Sequence, residues 1–272
     1  MTKFKFYTIF LISAILVGCG TNPFTGKSTL ALVPNSQILP TSFQQYNQVL
    51  EESDVIEEGE QAQMIERVGY KIANASERWL AKNGYPDYTE NYKWEFSLIN
   101  DDQVNAWAMP GGKIAFYTGI LPIAENEAGV AAIMGHEIAH ALANHGQQRM
   151  SAAQIQQAAG AVGTIAIGDD QQSQQLFATA FGLGSQLGVM LPFSRKHETE
   201  ADEIGIKLMA IAGYNPEEAA ELWQRMKENS GGGGPPQFLS THPSNDARIQ
   251  NLRSMTEEAK KEAAKFGVTS FE

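Results

Sequence analysis

The run His136-Glu137-Ile138-Ala139-His140, set within the apolar helical segment Ala128–Asn144, constrains this chain more than any other feature of its 272 residues. Residues four apart in a helix lie about 40° apart around the axis, so both imidazoles can reach one ion. Glu137, at about 100° from His136, is offset toward the side where a water on that ion would sit. Zinc lowers the pKa of such a water and a neighbouring carboxylate takes its proton, which is the chemistry the pattern His-Glu-x-x-His serves. A shuffled chain of this composition contains the pattern with a probability on the order of 0.01.

A catalytic zinc needs a third protein ligand and an open position. With five histidines and the lone Cys19, neither an internal disulfide nor a cysteine-based zinc site can form, so the remaining donors are His or carboxylate. Glu198-Thr199-Glu200-Ala201-Asp202, on the next strongly helical segment, supplies candidates. Glu198 and Asp202 share a face, whereas Glu200 points about 160° to 200° away from Glu198. Glu198 is therefore the expected third ligand. Asp202 is expected to accept the outer N–H of a ligand histidine and fix its tautomer. Ala201 and Gly205, again four apart, leave room for a neighbouring helix to approach closely. Two histidines are set aside. His145 misses the spacing of zinc proteases that use a third histidine six residues after the second, and it is expected to cap the helix end. His197 points elsewhere than Glu198 and is expected behind the ligands or at the surface.

Twenty Lys plus Arg against 31 Asp plus Glu give a net charge of -11, the wrong sign for a surface that attracts phosphates, which excludes nucleic acid as a partner. Lys3 and Lys5 precede the apolar run Phe6–Val17. That run has the length of a signal-peptide core and is shorter than the roughly 18 to 20 residues that cross a bilayer. It ends in Leu16-Val17-Gly18-Cys19, which resembles a bacterial lipobox. Residues 1–18 are accordingly expected to be a signal peptide and Cys19 to carry lipid. Gly20, where an Asp would favour inner-membrane retention, points to the outer membrane.

Residues 19–40, rich in Pro, Asn, Gly, Ser and Thr, are expected to be a lipid-anchored spacer, and 41–272 a zinc metallopeptidase domain. Ser42–Glu60 and Ala62–Lys82 carry apolar residues at helical spacing, with Met64, Ile65, Val68, Ile72, Ala75 and Trp79 forming one stripe. Trp94–Ile99, Val104–Ala108 and Lys113–Tyr117 read as three short strands separated by Asn-Asp-Asp and Pro-Gly-Gly turns. Helices are expected over Pro216–Glu228 and Asp246–Phe266, with the run Gly231–Pro236 a loop. Ser151–Leu191, split at Gly168-Asp169-Asp170, reads as a helical hairpin beside the active site or a movable lid.

His136–His140 and the Glu198–Asp202 cluster, with Asn105-Ala106 followed by Pro110-Gly111-Gly112, and Thr241-His242-Pro243 with Arg248, resemble the zinc metalloendopeptidases grouped with HtpX, the Oma-type proteases, BepA and the CaaX prenyl-protein endopeptidases. The resemblance implies an α+β, predominantly helical, zincin-like fold of the gluzincin type, with a small three-stranded sheet beside the active-site helix. It implies one zinc ion per chain on His136, His140 and Glu198, with Glu137 as general base. It further implies an edge strand over Asn105–Met109 that pairs with substrate, with Asn105 near the scissile carbonyl. His242 and Arg248 would stabilise the oxyanion or hold the carboxylate cluster. The chain lacks a segment long enough for the transmembrane helices of HtpX and ends too soon after Arg248 for the helical repeats of BepA. The expected protein is a lipid-anchored endopeptidase of the bacterial cell envelope, on the outer membrane and facing the periplasm. It would cleave unfolded or misassembled proteins, with envelope assembly factors as possible partners. Two alternatives stand beside it: an envelope chaperone or binding protein with a closed, rarely active zinc site, and a hydrolase of peptidoglycan peptides.

Overall fold

The computed structural model describes residues 19–167, 171–175, 178–179, 191–229 and 237–272. Its elements are β1 (Cys19–Thr21), β2 (Ser28–Leu30), α1 (Asn35–Glu51), β3 (Val55–Ile56), α2 (Glu60–Lys82), β4 (Glu95–Ile99), β5 (Ala106–Met109), β6 (Lys113–Tyr117), α3 (Leu121–Ala124) and α4 (Glu127–Leu142). They continue with α5 (His145–Ile167), α6 (Leu191–Ile211), α7 (Glu217–Glu228), α8 (Gln237–Thr241) and α9 (Asp246–Ala264).

Helix α4 is the centre of the molecule because its residues leave it no solvent-facing side: every residue from Gly129 to Leu142 is buried. The Asn126 side chain starts it by accepting from the Gly129 N–H at 2.9 Å. At the far end Tyr92 and Tyr88 donate their hydroxyls to the carbonyls of Ala141 and Leu142, which have no partner within the helix. Asn144 then turns the chain in the left-handed region, at φ 55°, into α5. Helices α2, α6 and α7 pack around α4, with β5 alongside. The crossing of α4 on α6 is closest at Gly135 and Gly205, whose backbones touch. A Cβ on Gly205 would lie 2.8 Å from the Gly135 carbonyl carbon. The small-residue spacing read from Ala201 and Gly205 thus finds its neighbouring helix, and that helix is α4.

The three expected strands form, joined by a fourth. The sheet order is β3-β4-β6-β5, with β4 parallel to β6 and β5 antiparallel to it. The turn between β5 and β6 uses Gly111 and Gly112 at φ 85° and 86°, where L side chains are strained. Among the described residues, strand β5 lies at the sheet's edge, paired only on the side of β6.

Three departures from the sequence reading are informative. The helix expected over Ser42–Glu60 begins earlier and ends at Glu51, and Val55–Ile56 leaves it to pair with Ile99 and Leu98 as β3. A β-branched pair at the sheet edge outweighs helical spacing there. The spacer expected over 19–40 is instead the β1–β2 hairpin and the first turns of α1, with Pro40 inside that helix. Tertiary contacts order it: the Phe24 ring stacks on Trp79 at 4.3 Å. The helix expected from Pro216 starts at Glu217, and Asn245 caps the one expected from Asp246. Residues 1–18, the turn Gly168–Asp170 and the loop Gly231–Pro236 lie outside the described residues. No helix among the described residues is long and apolar enough to cross a membrane.

Candidate active site

Helix α4 presents His136 and His140 one turn apart, with their Nε2 atoms 3.1 Å from each other. From α6, Glu198 reaches both, Oε2 lying 3.3 Å from His136 Nε2 and Oε1 3.3 Å from His140 Nε2. His242, directly after α8, closes the group, its Nδ1 standing 3.1 Å from His136 Nε2 and 2.9 Å from Glu198 Oε2. These four buried residues place ligand atoms within 4.8 Å of one another. A tetrahedron of donors about 2.0–2.1 Å from a zinc ion has edges of roughly 3.4 Å. The separations of 3.1 to 3.3 Å among His136, His140 and Glu198 fit such a cage, and the nitrogen and oxygen donor set suits that ion.

The supporting contacts are equally specific. His136 Nδ1 lies 3.0 Å from Asp202 Oδ1, the partner expected to fix its tautomer. Arg248, on α9, grips Asp202 with Nε and Nη2, each at 2.7 Å, and its Nη1 stands 3.3 Å from Glu198. Its guanidinium lies over the Trp223 ring, 3.5 Å from the centroid. Glu137 is buried, and among the described residues its Oε1 has no hydrogen-bond partner, lying 3.5 Å from His242 Nε2. Phe238, on α8, donates its N–H to the carbonyl of Val104 at 3.0 Å, tying the segment that carries His242 to the start of β5.

Burial and charge set opposed protonation states. Burial raises Glu137 above the ordinary carboxylate range, as suits a proton acceptor. Glu198 also suffers from burial, but hydrogen bonds from His136, His140 and His242 outweigh it and hold the carboxyl far below its usual range. Burial works against a charged His136, yet its bonds to Asp202 and Glu198 prevail and push it up to about 9. His140 stays neutral because burial dominates. Asp202 is held low against burial, first by the charge of Arg248.

His136, Glu137, His140, Glu198, Asp202, His242 and Arg248 thus converge, drawn from α4, α6, α9 and the segment after α8. Arg248 sits on the carboxylates, bonded to Asp202 and beside Glu198. His242 stands among the donors themselves, closer than a group beside the reacting carbonyl need be. Asn105 lies outside this group, half-buried just before β5, its carbonyl accepting from the Tyr117 N–H. His145 does not cap α4. It opens α5, fully buried, with Nδ1 2.8 Å from His140 Nδ1. His197 stacks on it at 4.1 Å, and burial pushes His197 down to about 3. Trp223, against both His136 and Arg248, was not legible as a site residue, since an apolar position on an amphipathic helix carries no mark of what it faces.

Fold and site together define a predominantly helical α+β, zincin-like protein with a buried group of metal-ligating side chains. The chain belongs to peptidase family M48, whose model matches residues 65–256. It is 38% identical over 191 residues to the mitochondrial metalloendopeptidase OMA1 of Schizosaccharomyces pombe, covering 69% of this chain and 53% of that protein. OMA1 of Saccharomyces cerevisiae is 35% identical over 195 residues, with 69% and 54% covered. The beta-barrel assembly-enhancing protease of Escherichia coli is 28% identical over 165 residues, with 59% and 34% covered. The chain spans about half the length of the two OMA1 relatives.

These relatives correct one expectation. OMA1 proteins named as mitochondrial, from eukaryotes, match at 38%, 35% and 33% identity, which points away from a lipid-anchored protein of the bacterial cell envelope on the outer membrane. That reading rested on a basic pair, a short apolar run and Cys19, a pattern whose physics favours insertion into a membrane without specifying which one. In the structure Cys19 opens β1 opposite Leu30.

Proposed function

We propose that the protein is a zinc-dependent endopeptidase that hydrolyses peptide bonds of unfolded or misassembled polypeptides. The observation that carries this reading is the convergence of His136, His140 and Glu198 beside a buried Glu137 oxygen that has no hydrogen-bond partner among the described residues. His136, His140 and Glu198 would hold a zinc ion, which when bound would supply a Lewis acid and lower the pKa of nearby water. Glu137 takes the proton of the attacking water and passes it to the leaving amine. Asp202 keeps the His136 Nδ1–H engaged, so that Nε2 faces the donor group. Arg248 neutralises the carboxylates of α6 and holds them in register. His242 donates from its ring to the carbonyl oxygen as negative charge develops. The edge of β5 away from β6, unpaired among the described residues, takes the substrate as an added strand, recognising extended main chain rather than a sequence, which suits polypeptides that have lost their fold.

Digestion of casein and of a denatured protein, with and without a chelator, tests the reading. Glu137→Gln retains zinc and loses about 10²- to 10⁴-fold in rate, whereas Glu198→Ala loses the zinc. Full activity in Glu137→Gln refutes the assigned base.

One observation favours a second reading, a chaperone or binding protein with a closed site: His242 Nδ1 stands as near the donors as they stand to each other. His242→Ala separates the two. Cleavage falls if the ring assists the reaction and rises if the ring blocks it.

A further inference from the structure

The reading above uses Glu198 and Asp202 on one face of α6 but leaves Glu200 and His145 without a task, although both are buried. They form a chain of contacts leading away from the donor group. His140 Nδ1 lies 2.8 Å from His145 Nδ1, and His145 Nε2 lies 3.1 Å from Glu200 Oε2. With His140 Nε2 turned to the donor group, one assignment of hydrogens satisfies every neutral ring: His140 Nδ1–H donates to His145 Nδ1, and His145 Nε2–H donates to the carboxylate. The other carboxylate oxygen accepts from the Thr25 hydroxyl at 2.6 Å and from Asn22 Nδ2 at 3.2 Å, both in the β1–β2 hairpin. Asn22 is itself fixed, its Oδ1 accepting the Phe24 N–H at 2.9 Å. The hairpin lies outside residues 65–256, the part matched by the family.

We infer that His145 and Glu200 are positioning residues that set the tautomer and ring orientation of His140, and that the hairpin, through Thr25 and Asn22, is a working component of the metal centre. His136 obtains its orientation from Asp202 directly, within the same pair of helices. His140 meets Glu198 through Nε2, and its Nδ1, on the other side of the ring, reaches a second carboxylate, Glu200, through the His145 imidazole. A carboxylate turned to the opposite side of α6 serves this purpose because the relay leaves the donor group on the side of α5 and β1–β2. Orienting groups of this kind govern metal affinity as well as turnover.

This inference rests on the zinc reading, and the test separates the two. Metal-free full-length protein is titrated with zinc against a chromophoric chelator, and the absorption bands of the cobalt(II)-substituted form are recorded. Glu200→Gln is expected to weaken zinc binding about 10- to 100-fold and to shift the cobalt bands. Thr25→Val, which removes the hairpin's hydroxyl bond to Glu200 while changing no residue of α4 or α6, is expected to weaken binding several-fold in the same direction, and Glu200→Asp to recover part of the loss. Thermal unfolding of the metal-free forms is run alongside. A merely structural role lowers the unfolding temperature but leaves zinc affinity and the cobalt bands unchanged, and that result overturns the inference. Should Glu200→Gln fail to fold, Thr25→Val decides alone. Wild-type protein that binds no zinc overturns the zinc reading and this inference together. Tight wild-type binding with unaltered variants overturns the relay alone.

Discussion

Gly205→Ala places a wedge between the two helices that carry the donors. The added Cβ would lie 2.8 Å from the Gly135 carbonyl carbon, 2.9 Å from its oxygen and 2.9 Å from the His136 nitrogen, where ordinary contact starts at 3.4 Å. All three obstructing atoms are backbone of α4, so no side-chain rotation relieves the clash, and α4 and α6 must separate by about half an ångström at this level. His136 and Glu198, on opposite sides of that crossing, face each other at 3.3 Å. Metal–ligand bonds tolerate departures of about 0.2 Å, so the widened cage binds its ion poorly. Overpacking of this kind costs about 1 to 3 kcal/mol, which lowers the unfolding temperature of a chain this size by roughly 2 to 12 °C. Zinc affinity falls at least tenfold, equivalent to about 1.4 kcal/mol. Calorimetry of the metal-free protein gives the first quantity and chelator competition the second. Gly135→Ala, whose Cβ would lie 2.8 Å from the Gly205 carbonyl oxygen, must behave alike. Unfolding within 1 °C of wild type together with unchanged affinity in both variants (roughly 0.3 kcal/mol or less) would refute the reasoning.

Further outcomes follow from the same geometry. Arg248→Ala leaves Asp202 and Glu198 buried without their cation and destabilises the fold by about 3 to 5 kcal/mol in urea unfolding, while Arg248→Lys restores charge but not the two-point grip on Asp202. Loss below 1 kcal/mol in the alanine variant (on the order of a surface pair) would remove the role given to Arg248. In the metal-free protein His136 is raised from 6.5 to about 9, so its charged form contributes stability that is complete below the lower value and vanishes as pH rises through the upper. Zinc must expel that proton: affinity climbs about tenfold per pH unit up to pH ~9, and titration calorimetry in buffers of differing ionisation heat finds about one proton released from His136 at neutral pH. No release would contradict the protonation assigned to His136. Asn126→Ala removes the cap of α4 and costs about 1 kcal/mol in the same unfolding assay.

Much of the site was legible because its chemistry demands fixed spacings. His136 and His140 share a helix face, as do Glu198 and Asp202, and the helical period alone brings each pair to one side. The same period set Glu200 aside correctly as a ligand, yet could not reveal that His145 waits on that other side. Such a meeting depends on the left-handed turn at Asn144, which aims α5 back across the end of α4. The β1–β2 hairpin was lost for a related reason: polar and turn-forming residues look like a spacer when the partners that order them, Trp79 and Glu200, lie far along the chain. The strands were found from β-branched and aromatic runs, but β3, only Val55 and Ile56, is too short to compete with the helical pattern on either side.

The donors are widely spaced along the polypeptide, His136 and His242 being 106 residues apart. During synthesis the paired imidazoles leave the ribosome well before Glu198 and later still before His242, and until those arrive two rings on a lone helical turn hold a cation only weakly. The donor group is therefore incomplete in a newborn copy and forms only when α4, α6 and the segment after α8 have folded together.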